Sequence, residues 1–326
     1  MPIRPFHGVP LDAATAIVRA EQVALLAEPA RLRLMSVLAS DPDGTNTAPR
    51  LASELGFSVS DVSDHLAQLS AAGLIRTRPG ATATEYALSA EAWVRFGRLL
   101  AGKPTHEALP SPDVPAINDL PPAMRRTADR LASRHQAHFS RETVEKYLAE
   151  SYELLNLHAK PTKHLPSLAS QFAGDRLDAL ATVYGFDVTG TPEVLFVCVR
   201  NSGRSQLAAG ILRQLAGDRV TVRTAGSRPA SSIDDSIIDA LDEIGVALVS
   251  EFPKPLTDEV VQAADVVITM GCGDACPVYP GRRYLDWPID DPFGKPAPEV
   301  RAVRDDIQRR VEALMETLGL ETPTPS

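Results

Sequence analysis

The chain has 326 residues, 44% of them apolar, with a formal net charge of −9 and three cysteines. This length exceeds one small domain and predicts two or three, while the acidic balance excludes broad, nonspecific attraction to nucleic acid. No window approaches the ~18 uncharged apolar residues that a membrane span needs, and Arg19 and Glu21 interrupt the first apolar run before a signal-peptide core forms.

A cytoplasmic, multidomain protein is therefore expected. In that compartment thiols stay reduced, and a cysteine is more often catalytic than structural. All three (Cys198, Cys272 and Cys276) lie beyond residue 197, which places the chemistry in the C-terminal part. Residues 1–100 hold nine Arg, no Lys and ten Asp or Glu, so any DNA contact there would come from a local patch.

Residues 11–27 and 29–39 read as helices, the second apolar at Leu32, Leu34, Val37 and Leu38. A third begins at 51–55. Gly56 then turns the chain, Ser58 is placed to cap, and 59–72 forms a fourth helix closed by Gly73. Two short strands, 74–78 and 84–88, join through a turn around Pro79 and Gly80. Helix, turn, helix, hairpin in that order is a winged helix-turn-helix, assigned to residues 1–102.

The run LASELGFSVSDVSDHLAQLSAAGLIRTRPGATATEYALS resembles the DNA-binding core of the ArsR family of metalloregulatory repressors, and EPARLRLMSVLAS resembles that family's preceding helix. The resemblance implies an operator-reading helix carrying Ser58, Ser60, Asp61, Ser63, Asp64 and His65. It also implies wing residues Arg76 and Arg78 on phosphate, and a homodimer paired through 11–27 and 92–100. Phosphate repels Asp61 and Asp64, although an aspartate can accept from a cytosine amino group. Arsenite-sensing members of the family use cysteines here, and this segment has none. A helix-turn-helix kept for dimerisation or docking is the alternative reading.

Between 103 and 122 stand Pro104, Pro110, Pro112, Pro115, Pro121 and Pro122, too many for a helix, so a semi-rigid linker is expected. Residues 119–186 read as a three-helix domain. Ser140 caps one helix, with Val144, Leu148 and Leu155 at helical spacing, and Leu165, Leu168, Phe172, Leu177 and Leu180 stripe the last. His135, His138, His158 and His164 match no i, i+4 ligand pair, so they are expected to be solvated and no metal is assigned. The run FSRETVEKYLAESYELL resembles a small helical domain found ahead of actinobacterial arsenate reductases.

Residues 194–197 are an apolar strand leading into Cys198-Val199-Arg200-Asn201-Ser202-Gly203-Arg204-Ser205, from which a helix continues. Successive backbone N–H groups of a loop turning into a helix N-terminus point inward and form an anion nest, here 199–204. Arg204 can grip two oxygens of a tetrahedral oxyanion. Cys198 would sit at the floor, where the positive field favours thiolate. Gly203 and Asn201 suit tight positions with unusual backbone angles.

This segment resembles the catalytic loop of the low-molecular-weight tyrosine phosphatase and arsenate reductase superfamily. Residues 220–224 with Ala225-Gly226-Ser227 resemble its second strand, 265–270 its third, and Asp286-Trp287-Pro288-Ile289-Asp290-Asp291-Pro292 its acid loop. The resemblance implies an α/β domain over 192–320 with a four-stranded parallel sheet. It also implies Cys198 as nucleophile, Arg204 as clamp, Ser205 as donor to the thiolate, Asn201 as the residue holding the loop, and Asp291 as general acid, with Asp290 its neighbour.

Three functions share this start. A phosphatase needs only water and Asp291. An arsenate reductase, releasing arsenite, needs thiols to carry two electrons, and Cys272 and Cys276 follow the third strand. Either Cys272 resolves the Cys198 adduct or an external thiol does, through thioredoxin or through mycothiol and mycoredoxin. The third reading is a noncatalytic arsenic sensor. The loop 228–232 has no aromatic residue to pack a phosphotyrosine ring, which favours the reductase joined to a repressor; Phe293 is the one residue able to stack on a phenyl ring.

Overall fold

A computed structural model describes residues 13–320 apart from 41–45, 81–82, 90–91, 93–95, 97–99, 101–116, 118, 160–163, 187–190, 249–250, 272–275 and 280. The chain divides into two units, one built on residues 1–103 with 280–283 and the other on 104–279 with 284–326.

The first unit begins with α1 (Ala13–Leu26), α2 (Pro29–Ser40), α3 (Ala48–Leu55) and α4 (Val59–Ala71). Gly56 ends α3 at φ 72, a left-handed conformation natural to glycine. Ser58 then accepts a hydrogen bond from the Asp61 N–H at 3.0 Å and caps α4. The wing is an antiparallel hairpin, β1 (Ile75–Pro79) and β2 (Thr84–Leu88), with Ile75 opposite Leu88 and Pro79 opposite Thr84. Its ladder starts one residue later than the sequence suggests, because the Leu74 N–H bonds back to the Leu69 carbonyl at 3.0 Å and closes α4. Leu34, Leu38, Leu51, Leu66 and Leu69 form the sealed centre of this unit, joined by Ala92 and Leu100. The other residues of the expected 92–100 helix, Phe96 apart, and most of the expected 103–122 linker lie outside the described residues.

The second unit opens with three helices, α5 (Pro122–His135), α6 (Arg141–Ala159) and α7 (Leu165–Val183), packed around Met124, Ala128, Val144, Leu148, Phe172 and Leu177. Ser140 caps α6 through the Thr143 N–H at 3.2 Å. One expectation fails here. His135 is buried rather than solvated, because it continues the apolar stripe Met124, Ala128, Leu131 at helical spacing. Burial pushes its imidazole below the usual histidine range, with Asp178 opposing and Arg134 adding to the shift.

Beyond these helices come β3 (Glu193–Cys198), α8 (Arg204–Ala216), β4 (Thr221–Gly226), α9 (Asp235–Asp242), α10 (Asp258–Ala263), β5 (Val266–Met270), β6 (Arg283–Asp286) and α11 (Ala297–Thr317). The sheet order is β4-β3-β5-β6, with β3 parallel to both its neighbours. All six residues of β3 are buried, as a central parallel strand covered on both faces requires. Val194, Phe196 and Cys198 pack with residues of α8, α9 and α11. Leu195 and Val197 pack on the other side, with Ala179 of α7 and Val260 and Val261 of α10.

The helical bundle is therefore a cover for one face of the sheet as well as a core of its own. Polar ties reinforce it. Arg176 of α7 donates to Glu150 at 2.9 Å and to Glu259 of α10 at 2.5 Å, all three side chains being buried. Arg223 of β4 donates to Glu193 at 2.9 Å and to the Asp175 carbonyl of α7 at 2.9 Å.

Candidate active site

The strand, loop and helix set the site. β3 delivers Cys198, residues 199–203 turn the chain, and α8 starts at Arg204. Asn201 directs its backbone N–H at Cys198 Sγ, 3.2 Å away, and Ser205 Oγ lies 3.1 Å from the same sulfur. Asn201 takes φ 50, a left-handed conformation that asparagine accepts more readily than most residues.

The side chains of the loop fix one another. The Lys254 N–H donates to Asn201 Oδ1 at 2.8 Å, which orients the amide so that Nδ2 donates to Ser205 Oγ at 2.8 Å. With its oxygen already accepting, Ser205 has its own proton available for the sulfur. Gln206 adds a bond from Nε2 to the Asn201 carbonyl at 3.0 Å. Asn201, Ser205 and Gln206 are all sealed from solvent, so water does not compete for these bonds.

Two glycines make room. A Cβ on Gly226 would stand 2.9 Å from the Asn201 Cβ and 2.9 Å from the Val199 carbonyl oxygen. A Cβ on Gly271, at φ 72, would stand 2.8 Å from an Arg204 guanidinium nitrogen. Any larger residue at either position would push the loop or its arginine out of place.

Arg204 reaches the acid loop, donating to the Ile289 carbonyl at 3.1 Å and to Asp291 Oδ2 at 3.3 Å. Asp291 is 52% exposed, and its other oxygen accepts from the Phe293 N–H at 3.2 Å. Pro292 sits against Gly203. The Arg200 guanidinium lies 3.6 Å from the centre of the Phe293 ring and 3.8 Å from Asp234. Burial lifts the Asp234 carboxyl above its ordinary value, against the opposing pull of Arg200 and of the hydrogen bond from Ser202.

Cys198, Val199, Arg200, Asn201, Ser202, Gly203, Arg204, Ser205 and Asp291 thus converge. Cys276 does not join them. It is buried with Leu195 and Val197, the β3 residues facing away from the Phe196 side, and with Val260 and Tyr279. Cys272 lies outside the described residues. Lys254 and Gly271 act through contacts distant in sequence and belong to no local pattern, whereas Gln206 reaches back to Asn201 from the helix start itself. Among the described residues no group of three His, Cys, Asp or Glu is arranged to hold a metal ion.

In the first unit, Ser58, Ser60, Asp61, Ser63 and Asp64 are exposed on or at the start of α4, and His65 is half-buried. Ser63 spends its hydroxyl on the Val59 carbonyl at 2.7 Å. Arg76 and Arg78 are exposed on β1, and Arg78 pairs with Glu85 at 2.5 Å.

A parallel sheet whose central strand ends in a cysteine, a loop closed by arginine and serine, and an Asp-Pro acid loop define a low-molecular-weight phosphatase-type domain. Comparisons agree. Residues 193–323 match the low molecular weight phosphotyrosine protein phosphatase family, 124–181 the protein-tyrosine-phosphatase-like N-terminal domain, and 26–78 a helix-turn-helix domain. A putative arsenate reductase of Halobacterium salinarum is 34% identical over 130 residues, which are 37% of this chain and 89% of that protein. Arsenate reductase 1 of Staphylococcus haemolyticus is 32% identical over 129 residues, 38% of this chain and 96% of that one. The solved structure of a Corynebacterium glutamicum thioredoxin-dependent arsenate reductase is 46% identical with a TM-score of 0.56, covering 60% of this chain and 96% of its own. The chain belongs to the arsenate reductases of the low-molecular-weight phosphatase family, fused to an ArsR-type helix-turn-helix.

Proposed function

We propose that this protein reduces arsenate to arsenite at Cys198 and binds operator DNA through its N-terminal unit. The Cys198 thiolate attacks arsenic, an As–O bond breaks, and Asp291 supplies the proton with which that oxygen leaves as water. Arg204 and the loop N–H groups hold the remaining oxygens. A second thiolate then attacks Cys198 Sγ. An S–S bond forms, the S–As electron pair passes to arsenic, and arsenite departs as As(III).

What supports a small oxyanion over an aryl phosphate is the segment 228–232, which bonds to the loop through the Arg228 N–H on the Val199 carbonyl at 2.8 Å and carries no aromatic residue to pack a ring. Phe293 has one ring face on the Arg200 guanidinium, at 3.6 Å.

The second thiol is Cys272, Cys276 or an external reductant. Because Cys276 is buried on the far side of β3, its use requires the segment around 271–279 to move. The Corynebacterium relative is thioredoxin-dependent by its title, and a thioredoxin-type dithiol is the reductant we favour over mycothiol with mycoredoxin. On DNA, α4 would enter the major groove with Ser58, Ser60, Asp61, Ser63, Asp64 and His65, and Arg76 and Arg78 would meet phosphate. Exposed Ile17, Val18 and Val23 on α1 suit pairing of two protomers. No described helix is long and apolar enough to cross a membrane, and a cytoplasmic site of action fits this chemistry.

Arsenate-dependent NADPH oxidation with thioredoxin and its reductase, beside p-nitrophenyl phosphate hydrolysis, tests the reading. Turnover of arsenate far above aryl phosphate supports it. Phosphate release alone would make the site a phosphatase.

A further inference from the structure

Residues 251–256 run between the three-helix bundle and the catalytic loop. Phe252 is buried in the apolar core of α5, α6 and α7. Two residues on, Lys254 Nζ donates to Asp175 of α7 at 2.8 Å, from a side chain only 10% exposed. The backbone of the same residue holds the catalytic loop, its N–H on Asn201 Oδ1 at 2.8 Å and its carbonyl on the Gly226 N–H at 2.8 Å. From Asn201 the chain of bonds continues to Ser205 and ends on Cys198 Sγ.

We propose that Asp175 is a positioning residue for the nucleophile, acting through Lys254 and Asn201, so that the helical bundle forms part of the catalytic apparatus. The ion pair anchors the Lys254 backbone. That N–H, at 2.8 Å the shortest donor to Asn201 Oδ1 beside Gln206 Nε2 and Thr224 Oγ1 at 3.4 Å each, favours one of the two orientations of the Asn201 amide. In the observed orientation Nδ2 faces Ser205, and the serine proton goes to sulfur. In the flipped one Oδ1 faces Ser205, captures that proton, and strips the thiolate of a donor. Asn201 and Ser205 are sealed, so no water replaces the lost bond. The proposal rests on Cys198 being a reactive thiolate and not on arsenate being the substrate.

The test is alkylation of Cys198 by iodoacetate in the full chain at neutral pH, read by mass spectrometry of the Cys198 peptide. Asp175→Asn should slow it by about 10-fold, the size of one hydrogen bond to a charged acceptor. Asp175→Glu should restore most of the rate, and adding Lys254→Gln to Asp175→Asn, which also removes the longer contact with Glu251 at 3.7 Å, should slow it little further, because the short link to Asp175 is already gone. Asp178→Asn, one turn along α7 and paired with Arg134 at 3.0 Å, controls for loss of bundle stability and should leave alkylation unchanged. In arsenate turnover, Asp175→Asn should lower kcat with little change in KM. An Asp175→Asn rate within twofold of wild type, or an equal loss in Asp178→Asn, would overturn the proposal. If arsenate turns out not to be the substrate, the alkylation result still stands.

Discussion

Replacing Arg176 by methionine would leave Glu259 and Glu150 without their arginine inside the second unit, with Lys146 still 3.8 Å from Glu150. Glu150 and Glu259 are 4% and 7% exposed, and Arg176 bridges them at 2.9 and 2.5 Å while stacking 4.6 Å from the centre of the Tyr147 ring. Burial works against the guanidinium's charge, yet Glu259 and Glu150 together raise its pKa above the ordinary arginine value. Removing one partner of a buried ion network costs about 3–5 kcal/mol. At roughly 2–4 °C per kcal/mol for a unit of this size, the unfolding midpoint should fall by roughly 6–20 °C. The sign of the pH dependence follows. In the variant, protonating the carboxylates that lost Arg176 relieves the cost of burying them, so its deficit against wild type should be smaller at pH ~5.5 than at pH ~7.5. Calorimetry of the full chain at both values measures this. Adding Glu150→Gln and Glu259→Gln should recover much of the loss. A shift below about 3 °C with no pH dependence would refute the reasoning, and with it the view that bundle and sheet are tied by this network.

Three further outcomes are expected. Ser205→Ala removes a donor to Cys198 Sγ and leaves the Asn201 amide without its acceptor, so kcat should fall by about 10- to 100-fold with the fold intact by circular dichroism. His135, held below its ordinary 6.5 by burial, takes up its proton at lower pH in the fold than in the unfolded chain. Wild-type stability should therefore decline as pH falls through that value, and His135→Leu should decline less over the same range in parallel melts. Arg76→Ala should weaken operator binding uniformly across sequences and reduce the slope of log affinity against log salt by about 1 in a titration series.

The loop at 198–205 is legible in the sequence because its pattern is local. Cys198, Asn201, Arg204 and Ser205 lie within one turn-and-helix start, and Asp291 is marked by the proline after it. What it could not show was the support. Lys254 and Asn201 are 53 residues apart, and EFPKPL carries no signature that it would strap a loop to a helical bundle. Gly271 reads as an ordinary turn glycine until Arg204 is found against it. His135 belongs to no i, i+4 ligand pair and so reads as solvated, whereas its position on the stripe of α5 dictates burial. Arg283–Asp286, as Arg-Tyr-Leu-Asp, has no alternation to mark it as the fourth strand. For Cys276, nearness in sequence to the end of β5 suggested a place beside Cys198, whereas the pleat and the packing of β3 put it among Leu195 and Val197.

The most direct measurement is arsenite formed from arsenate by the purified full chain under anaerobic conditions, assayed for wild type and Cys198→Ser, with a thioredoxin system present or withheld. Sustained arsenite production by wild type that needs the reductant and disappears in Cys198→Ser is the result expected. Arsenite formation that persists in Cys198→Ser, or none from wild type with any thiol supplied, would contradict a reductase built on this cysteine.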